Sequence, residues 1–157
     1  MTQKITPDWE FVPDAVMGGL SRGHISKEVV NGAAATRLTG EVSLENNGGF
    51  LQMAFDFAAG GGAIDASAWT GIKIDVCGNG QSYDLRLRTT DLEKPWQSFR
   101  SEFTAPNDWT TLQFAFADLD PHRTDVHFNP KSLRRLGIVA VGRAFAVDVA
   151  VRNVEFY

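Results

Sequence analysis

Ile72-Lys73-Ile74-Asp75-Val76-Cys77 is followed, across Gly78-Asn79-Gly80-Gln81-Ser82, by Tyr83-Asp84-Leu85-Arg86-Leu87-Arg88-Thr89. In the first run the aliphatic side chains alternate with Lys73 and Asp75, and in the second Tyr83, Leu85 and Leu87 alternate with Asp84, Arg86 and Arg88. A period of two is that of a strand with one buried face and one wet face. Asn-Gly between two such runs is a strong hairpin signal, because both residues accept the positive φ of a tight turn. The stretch therefore predicts two neighbouring antiparallel strands. It would place Lys73, Asp75, Asp84, Arg86 and Arg88 together on one outward surface.

The same pattern recurs on both sides of this stretch. Further strands are predicted at Ala34 to Leu38, Gly49 to Phe57, Gln97 to Phe103, Thr110 to Phe116, Leu136 to Val141 and Ala146 to Phe156, with turn residues between them. Val147, Val149 and Val151 share one face while Val154 and Phe156 fall out of phase, which predicts a bulge near Arg152-Asn153. Pro130 to Arg135 reads as one helical turn, and Ala58 to Ala63, with three consecutive glycines, as a loop. No long helical period competes. The expected class is all-β, a two-sheet antiparallel β-sandwich or jelly roll. At 157 residues, 43% hydrophobic and 22% charged, the chain can bury one core and is read as a single domain, 1–157.

Charge and composition exclude several partners. A net charge of -4 argues against a surface that tracks phosphates, so nucleic acid is not expected. No stretch approaches the roughly 20 apolar residues needed to span a bilayer. The start of the chain lacks the apolar core of a signal peptide, so a cytoplasmic protein is expected, with any membrane association made through partners. The lone Cys77 rules out an intramolecular disulfide and a thiolate metal cage.

Two glycine-rich signatures stand apart from this alternation: Asp14-Ala15-Val16-Met17-Gly18-Gly19-Leu20-Ser21-Arg22-Gly23, and Gly40-Glu41-Val42-Ser43-Leu44-Glu45-Asn46-Asn47-Gly48-Gly49-Phe50. Glycine reaches positive φ cheaply, so each Gly-Gly pair is expected to fix a tight turn. With Trp9, Trp69-Thr70-Gly71-Ile72, the Gly78 to Thr89 segment, Phe99 to Phe103 and Trp109, these signatures make the chain similar to the complex I intermediate-associated protein 30 family over nearly its whole length. The chain departs from that family's pattern at Asn79 and Gln81, at Leu51 to Ala54, which lacks an arginine, and at Thr124 after Arg123. The resemblance implies a galactose-binding-like jelly roll. It also implies a non-enzymatic factor that binds partly built intermediates of respiratory NADH:ubiquinone oxidoreductase. A start so close to the domain suits either a bacterial member or a trimmed chain.

Asp14, Met17, Ser21 and Asn46-Asn47, with Gly18, Gly19, Gly48, Gly49 and Phe50, form either a small polar pocket or a structural lock on the turns; the lock is favoured, since Asp and Asn beside glycine bond to backbone. No metal is expected, because there is no dense carboxylate loop and His122 and His127 in Asp118 to His127 do not share a helical face; that segment is read as a solvated loop. Ser21 near His24 lacks an oriented base, and the glycine runs lack the Lys-Ser/Thr of a phosphate loop. Neither a catalytic residue nor a cofactor is predicted. The outward face of Lys73, Asp75, Asp84, Arg86 and Arg88, extended by Gln52, Arg100 and Gln113, is either a salt-bridge ladder or a binding surface, since guanidinium groups beside carboxylates suit bidentate hydrogen bonding. Trp9, Trp69 and Trp109 are assigned to packing. Trp96, in a polar loop after Glu93-Lys94-Pro95, is the best contact candidate. Two functions stay open: an assembly factor holding a protein partner, or a carbohydrate-binding module holding a glycan.

Overall fold

The alternating runs form strands throughout residues 2–157, which are the residues the computed structural model describes; the side chains of Val16 and Asn47 lie outside that description. In chain order the strands are β1 (Gln3–Lys4), β2 (Glu10–Pro13), β3 (Arg22–Val30), β4 (Ala33–Val42), β5 (Phe50–Asp56), β6 (Gly71–Gly78), β7 (Ser82–Thr89), β8 (Ser98–Thr104), β9 (Thr110–Ala115), β10 (Asp120–His122), β11 (Leu133–Val141) and β12 (Phe145–Phe156). Among the described residues there is no α-helix, only short 3₁₀ turns. All pairing is antiparallel, in two sheets. The first runs β3-β4-β12-β6-β9, with β1 beside the far end of β12; the second runs β10-β8-β7-β11-β5-β2.

The two sheets close on one hydrophobic core. Leu38, Ile72, Ile74, Val76, Val149 and Val151 from the first sheet face Leu51, Met53, Phe55, Leu85, Leu87, Phe99 and Ile138 from the second, all at most 2% exposed. Trp9 packs edge-on against Phe55, Trp69 stacks on Phe156, and the Trp109 indole N–H donates to the Val30 carbonyl at 2.9 Å. The predicted bulge is present: the β12 register slips between Arg152 and Glu155, where Asn153 has φ 52°. This returns Val154 and Phe156 to the core. Pro130–Ser132 forms one 3₁₀ turn and β11 starts at Leu133, three residues ahead of expectation.

The segment Ile72 to Thr89 does not form the hairpin expected of it. Its two runs are strands, but they do not pair: β6 lies between β12 and β9, and β7 between β11 and β8. The Asn79-Gly80 turn crosses from one sheet to the other, because its polar groups bond outward. Gly78 N–H donates to Pro106, Asn79 N–H to Asp148 and Gly80 N–H to Ala105. The Asn79 amide donates to the Ala146 carbonyl and accepts from the Tyr83 hydroxyl at 2.7 Å. Alternation is satisfied equally by two strands of one sheet and by one strand in each sheet, since either way one face is buried. Lys73 and Asp75 therefore lie on the opposite side of the molecule from Asp84, Arg86 and Arg88, and Gln113 on β9 goes with them.

Candidate functional site

The outer face of the second sheet holds a groove of about 800 Å³, within the range of ligand sites. Its floor follows from strand register. Gln52, Val139 and Asp84 form one cross-strand row; Ala54, Gly137, Arg86 and Arg100 the next; Arg135 and Arg88 the third, with Ser98 and His122 paired alongside. Gly137 and Ala54 leave the middle of the floor low. A Cβ on Gly137 would stand 2.9 Å from the Gln52 amide oxygen, so the Gln52 side chain lies close over Gly137.

Arg88 organises the wall. Its guanidinium donates to the carbonyls of Gln97 at 3.1 Å and Lys94 at 3.0 Å. The Gln97 side chain accepts from the N–H groups of Glu93 and Lys94 and donates to the Arg123 carbonyl at 3.2 Å. These bonds tie down the loop that carries Trp96, which is 55% exposed and lines the groove. Among the described residues neither Arg88 nor Arg123 is within ion-pair distance of a carboxylate. Burial, with Arg134 and Arg135 nearby, holds Arg88 below the ordinary guanidinium value without discharging it. Arg86 pairs with Asp84 at 2.8 Å, and Arg100 reaches the same carboxylate at 3.7 Å. Arg135 pairs with Glu10 and Asp56. His122 is held below the usual imidazole value by burial and by Arg100, Arg86 and Arg123. The Ser98 hydroxyl is sealed from solvent and has no hydrogen-bond partner among the described residues, a state that costs about 1–3 kcal/mol.

His122, Arg123, Arg135 and Gly137 are among the lining residues that the alternating pattern does not point to. Asp118 to His127 is not simply a loop: Asp120–His122 is an edge strand, where Pro121 costs no ladder bond. That strand brings His122, and the residue after it, Arg123, to the groove. Gly137 was hidden inside a continuous apolar run, and Arg135 by the irregular register just before it. Only the alternation of Asp120 and His122 about Pro121 could have signalled the edge strand.

The glycine signatures meet around Asp14 at one end of the groove. Its carboxylate is fully buried and accepts from the Ser21 hydroxyl at 2.5 Å, Ser21 N–H at 3.1 Å, Gly49 N–H at 2.6 Å and Phe50 N–H at 3.3 Å. The Ser21 oxygen in turn accepts from Ser43 N–H at 2.8 Å. Asp14 thus bonds across to the second signature, 35 residues away, where the sequence suggested bonds to its own turn. Burial alone would raise its pKa; the Ser21, Gly49 and Phe50 donors outweigh it and hold the carboxylate below its usual range. Positive φ accounts for only half of the glycines. Gly18 has φ 85° and Gly49 φ 139°, whereas Gly19 and Gly48 are needed for close approach, since a Cβ on either would fall within 2.6 Å of the Asp14 carboxylate. Asn46 sits exposed at φ 54°, and the expectation for the Asn47 side chain falls outside the described residues. Met17 and Phe50 line the groove from this side, with Leu44.

On the opposite face Lys73 pairs with Glu155 at 3.4 Å, and Asp75 accepts from Thr111 and from Asn153. No three His, Cys, Asp or Glu side chains among the described residues converge as a metal site. Nor do the described residues form a helix long and apolar enough to cross a membrane.

With this geometry in place, comparison with known proteins is informative. Residues 1–149 match the family described as complex I intermediate-associated protein 30. The chain belongs to that family. No curated protein sequence matches this complex I intermediate-associated protein 30 family member. Its fold is that of solved carbohydrate-binding modules. The family 11 module of the cellulosomal cellulase Lic26A-Cel5E of Clostridium thermocellum superposes with TM-score 0.77 at 10% identity, covering 99% of this chain and 94% of the module. The family 11 module from the same organism in complex with a β-1,3-1,4-mixed-linked tetrasaccharide gives TM-score 0.76, again at 10% identity with 99% and 94% coverage. The family 30 module of the C. thermocellum cellulosomal cellulase Cel9D-Cel44B gives 0.68 at 16%, covering 100% and 97%. The jelly-roll sandwich expected from strand period and family resemblance is the fold observed.

Proposed function

We propose that the chain is a non-enzymatic binding protein of the complex I assembly type, acting in the cytoplasm. It holds a protein segment of a partly built NADH:ubiquinone oxidoreductase in the groove of the second sheet. One observation carries this reading: a half-buried guanidinium, Arg88, with no carboxylate of its own, stands beside a fixed and exposed Trp96. An indole with a neighbouring guanidinium is the composition of a protein-interface anchor. Family membership supports the identity of the partner. The test is affinity recovery of the tagged chain from membranes of its source, with co-purifying proteins identified by mass spectrometry. Subunits of NADH:ubiquinone oxidoreductase should come down with the wild type and not with the Arg86→Ala/Arg88→Ala double variant. Recovery of the chain without them overturns the assembly reading.

A second reading is favoured by one further observation. Trp96 borders a groove on a fold shared with a module solved with a mixed-linked tetrasaccharide, and an exposed indole is a stacking platform for a sugar ring. Saturable quenching of tryptophan fluorescence by that tetrasaccharide would move the function to a carbohydrate-binding module.

A further inference from the structure

The groove is not uniform from end to end. At the Asp14 end its wall is apolar: Met17 and Leu44 are 60% and 55% exposed, and Phe50 and Val141 stand opposite one another on β5 and β11. Monomeric proteins rarely leave several large apolar side chains open around one depression without a use for them. At the other end the lining is cationic. Among the described residues Arg88 and Arg123 lack carboxylate partners, while Arg135, in the same cross-strand row as Arg88, is already paired with Glu10 and Asp56. From Val141 to Arg135 is six residues along β11, so the two ends lie about 20 Å apart at 3.3–3.4 Å per residue.

We infer that the groove takes an extended polypeptide segment, apolar at the end lying against Met17, Leu44 and Phe50, and bearing a carboxylate at the end lying against Arg88 and Arg123. The inference rests on the protein-binding reading above and narrows it to a class of segment. Charge complementarity selects this occupant. A neutral glucan would leave two guanidinium groups without a counter-charge, whereas a glutamate or aspartate side chain supplies one. The spacing sets the length, because about six residues of extended chain span 20 Å.

The test is a titration of the full chain, followed by tryptophan fluorescence and by calorimetry. The probes are blocked seven-residue peptides with Leu and Phe at one end and two Glu at the other, made in both sequence orders, together with the same peptides carrying Gln for Glu. In one order the Glu peptide should bind at least tenfold more tightly than its Gln counterpart, and raised ionic strength should erode that difference. Arg123→Ala, which is exposed and outside the core, should erase the preference without shifting the thermal midpoint; Arg88→Ala should also erase it, while loosening Trp96 and lowering the midpoint as its two bonds to the loop are lost. Leu44→Ser should weaken both peptides alike. Equal binding of the Glu and Gln peptides overturns the polarised groove, as does failure of every peptide. If the peptides fail while oxidoreductase subunits still co-purify with the chain, the protein-binding reading stands without the inference. If only the tetrasaccharide binds, both fall.

Discussion

Asp14 stays ionised inside the protein because four donations from Ser21, Gly49 and Phe50 replace the water it has lost. Asp14→Asn keeps the shape but turns an acceptor into a donor facing other donors, so it should cost roughly 2–3 kcal/mol in urea unfolding. A loss below about 0.5 kcal/mol would mean that the two signatures are joined by something other than this carboxylate. The pH dependence has a definite sign. The folded value lies below that of the unfolded chain, about 3.9, so the unfolded state binds the proton first. The stabilisation is complete above that value and is lost as pH falls through it towards the folded one; Asp14→Asn should lack that limb of the stability curve. His122 behaves differently because burial and then Arg100 on β8, Arg86 on β7 and Arg123 beside it all oppose its protonation, with Asp84 on β7 acting weakly the other way. A carboxylate arriving at that end would favour the imidazolium. The Glu peptide should therefore bind more tightly as pH falls from 7.5 to 5.5, and His122→Gln should flatten the profile. A wild-type profile that is already flat would place the carboxylate away from His122.

Among the elements, β11 is the one that shapes the groove. Gly137 sits in the middle of this central strand, where glycine ordinarily weakens a sheet by about 0.5–1 kcal/mol. Only the flexible end of Gln52 stands in the way of a Cβ there. Gly137→Ala should therefore be neutral to slightly stabilising in thermal unfolding, and Gly137→Val should raise the floor enough to abolish peptide binding while the fold persists. Undiminished binding by Gly137→Val would remove the ligand from above β11. The elements also show what was legible beforehand. Period-two alternation revealed most of the long strands and the β12 bulge, because burial of one face acts on every second residue. β1, β2, β3 and β10 were missed. Gln3–Lys4 is two residues long, Glu10–Pro13 and Asp120–His122 contain prolines on edge strands, and Arg22–Val30 alternates less cleanly, with Val29 exposed. Partnership between strands was the larger gap. Nothing in the alternation of Ile72 to Thr89 distinguishes a hairpin from a crossover; the long-range bonds of Asn79 to Ala146 and Tyr83 decide it. Half of the expected polar face, Asp84, Arg86 and Arg88 with Trp96, was legible because it lies on one strand and the loop that follows. His122, Arg123 and Arg135 reach the groove through pairing that no local pattern encodes.

For the molecule as a whole, the crossover at Asn79 separates two polar surfaces that sequence had merged. On the outside of the first sheet many charges close on one another: Lys73 with Glu155, Asp75 with Thr111, Asn153 and Arg152, and Arg37 with both Glu28 and Asp148. On the outside of the second sheet Arg88 and Arg123 have no carboxylate, and Trp96 is presented by a loop that Arg88 and Gln97 hold in place. A surface whose charges already have partners gains little from a ligand, because each new contact must first break an old one; Arg88, though bonded to the Gln97 and Lys94 carbonyls, and Arg123 have no counter-charge to displace. The two faces should therefore separate in a paired experiment on the whole chain. Lys73→Ala with Asp75→Ala removes an ion pair and hydrogen bonds that are partly exposed, should lower stability by about 1–2 kcal/mol, and should leave recovery of oxidoreductase subunits as in the wild type. Arg88→Ala with Trp96→Ala should leave the cooperative melt in place and lose that recovery. Mass spectrometry of the captured material, beside circular-dichroism melts of the same preparations, reads both. If the first pair loses the partner and the second keeps it, binding belongs to the ion-paired face of the first sheet, and the groove is a feature of the fold with no role in recognition.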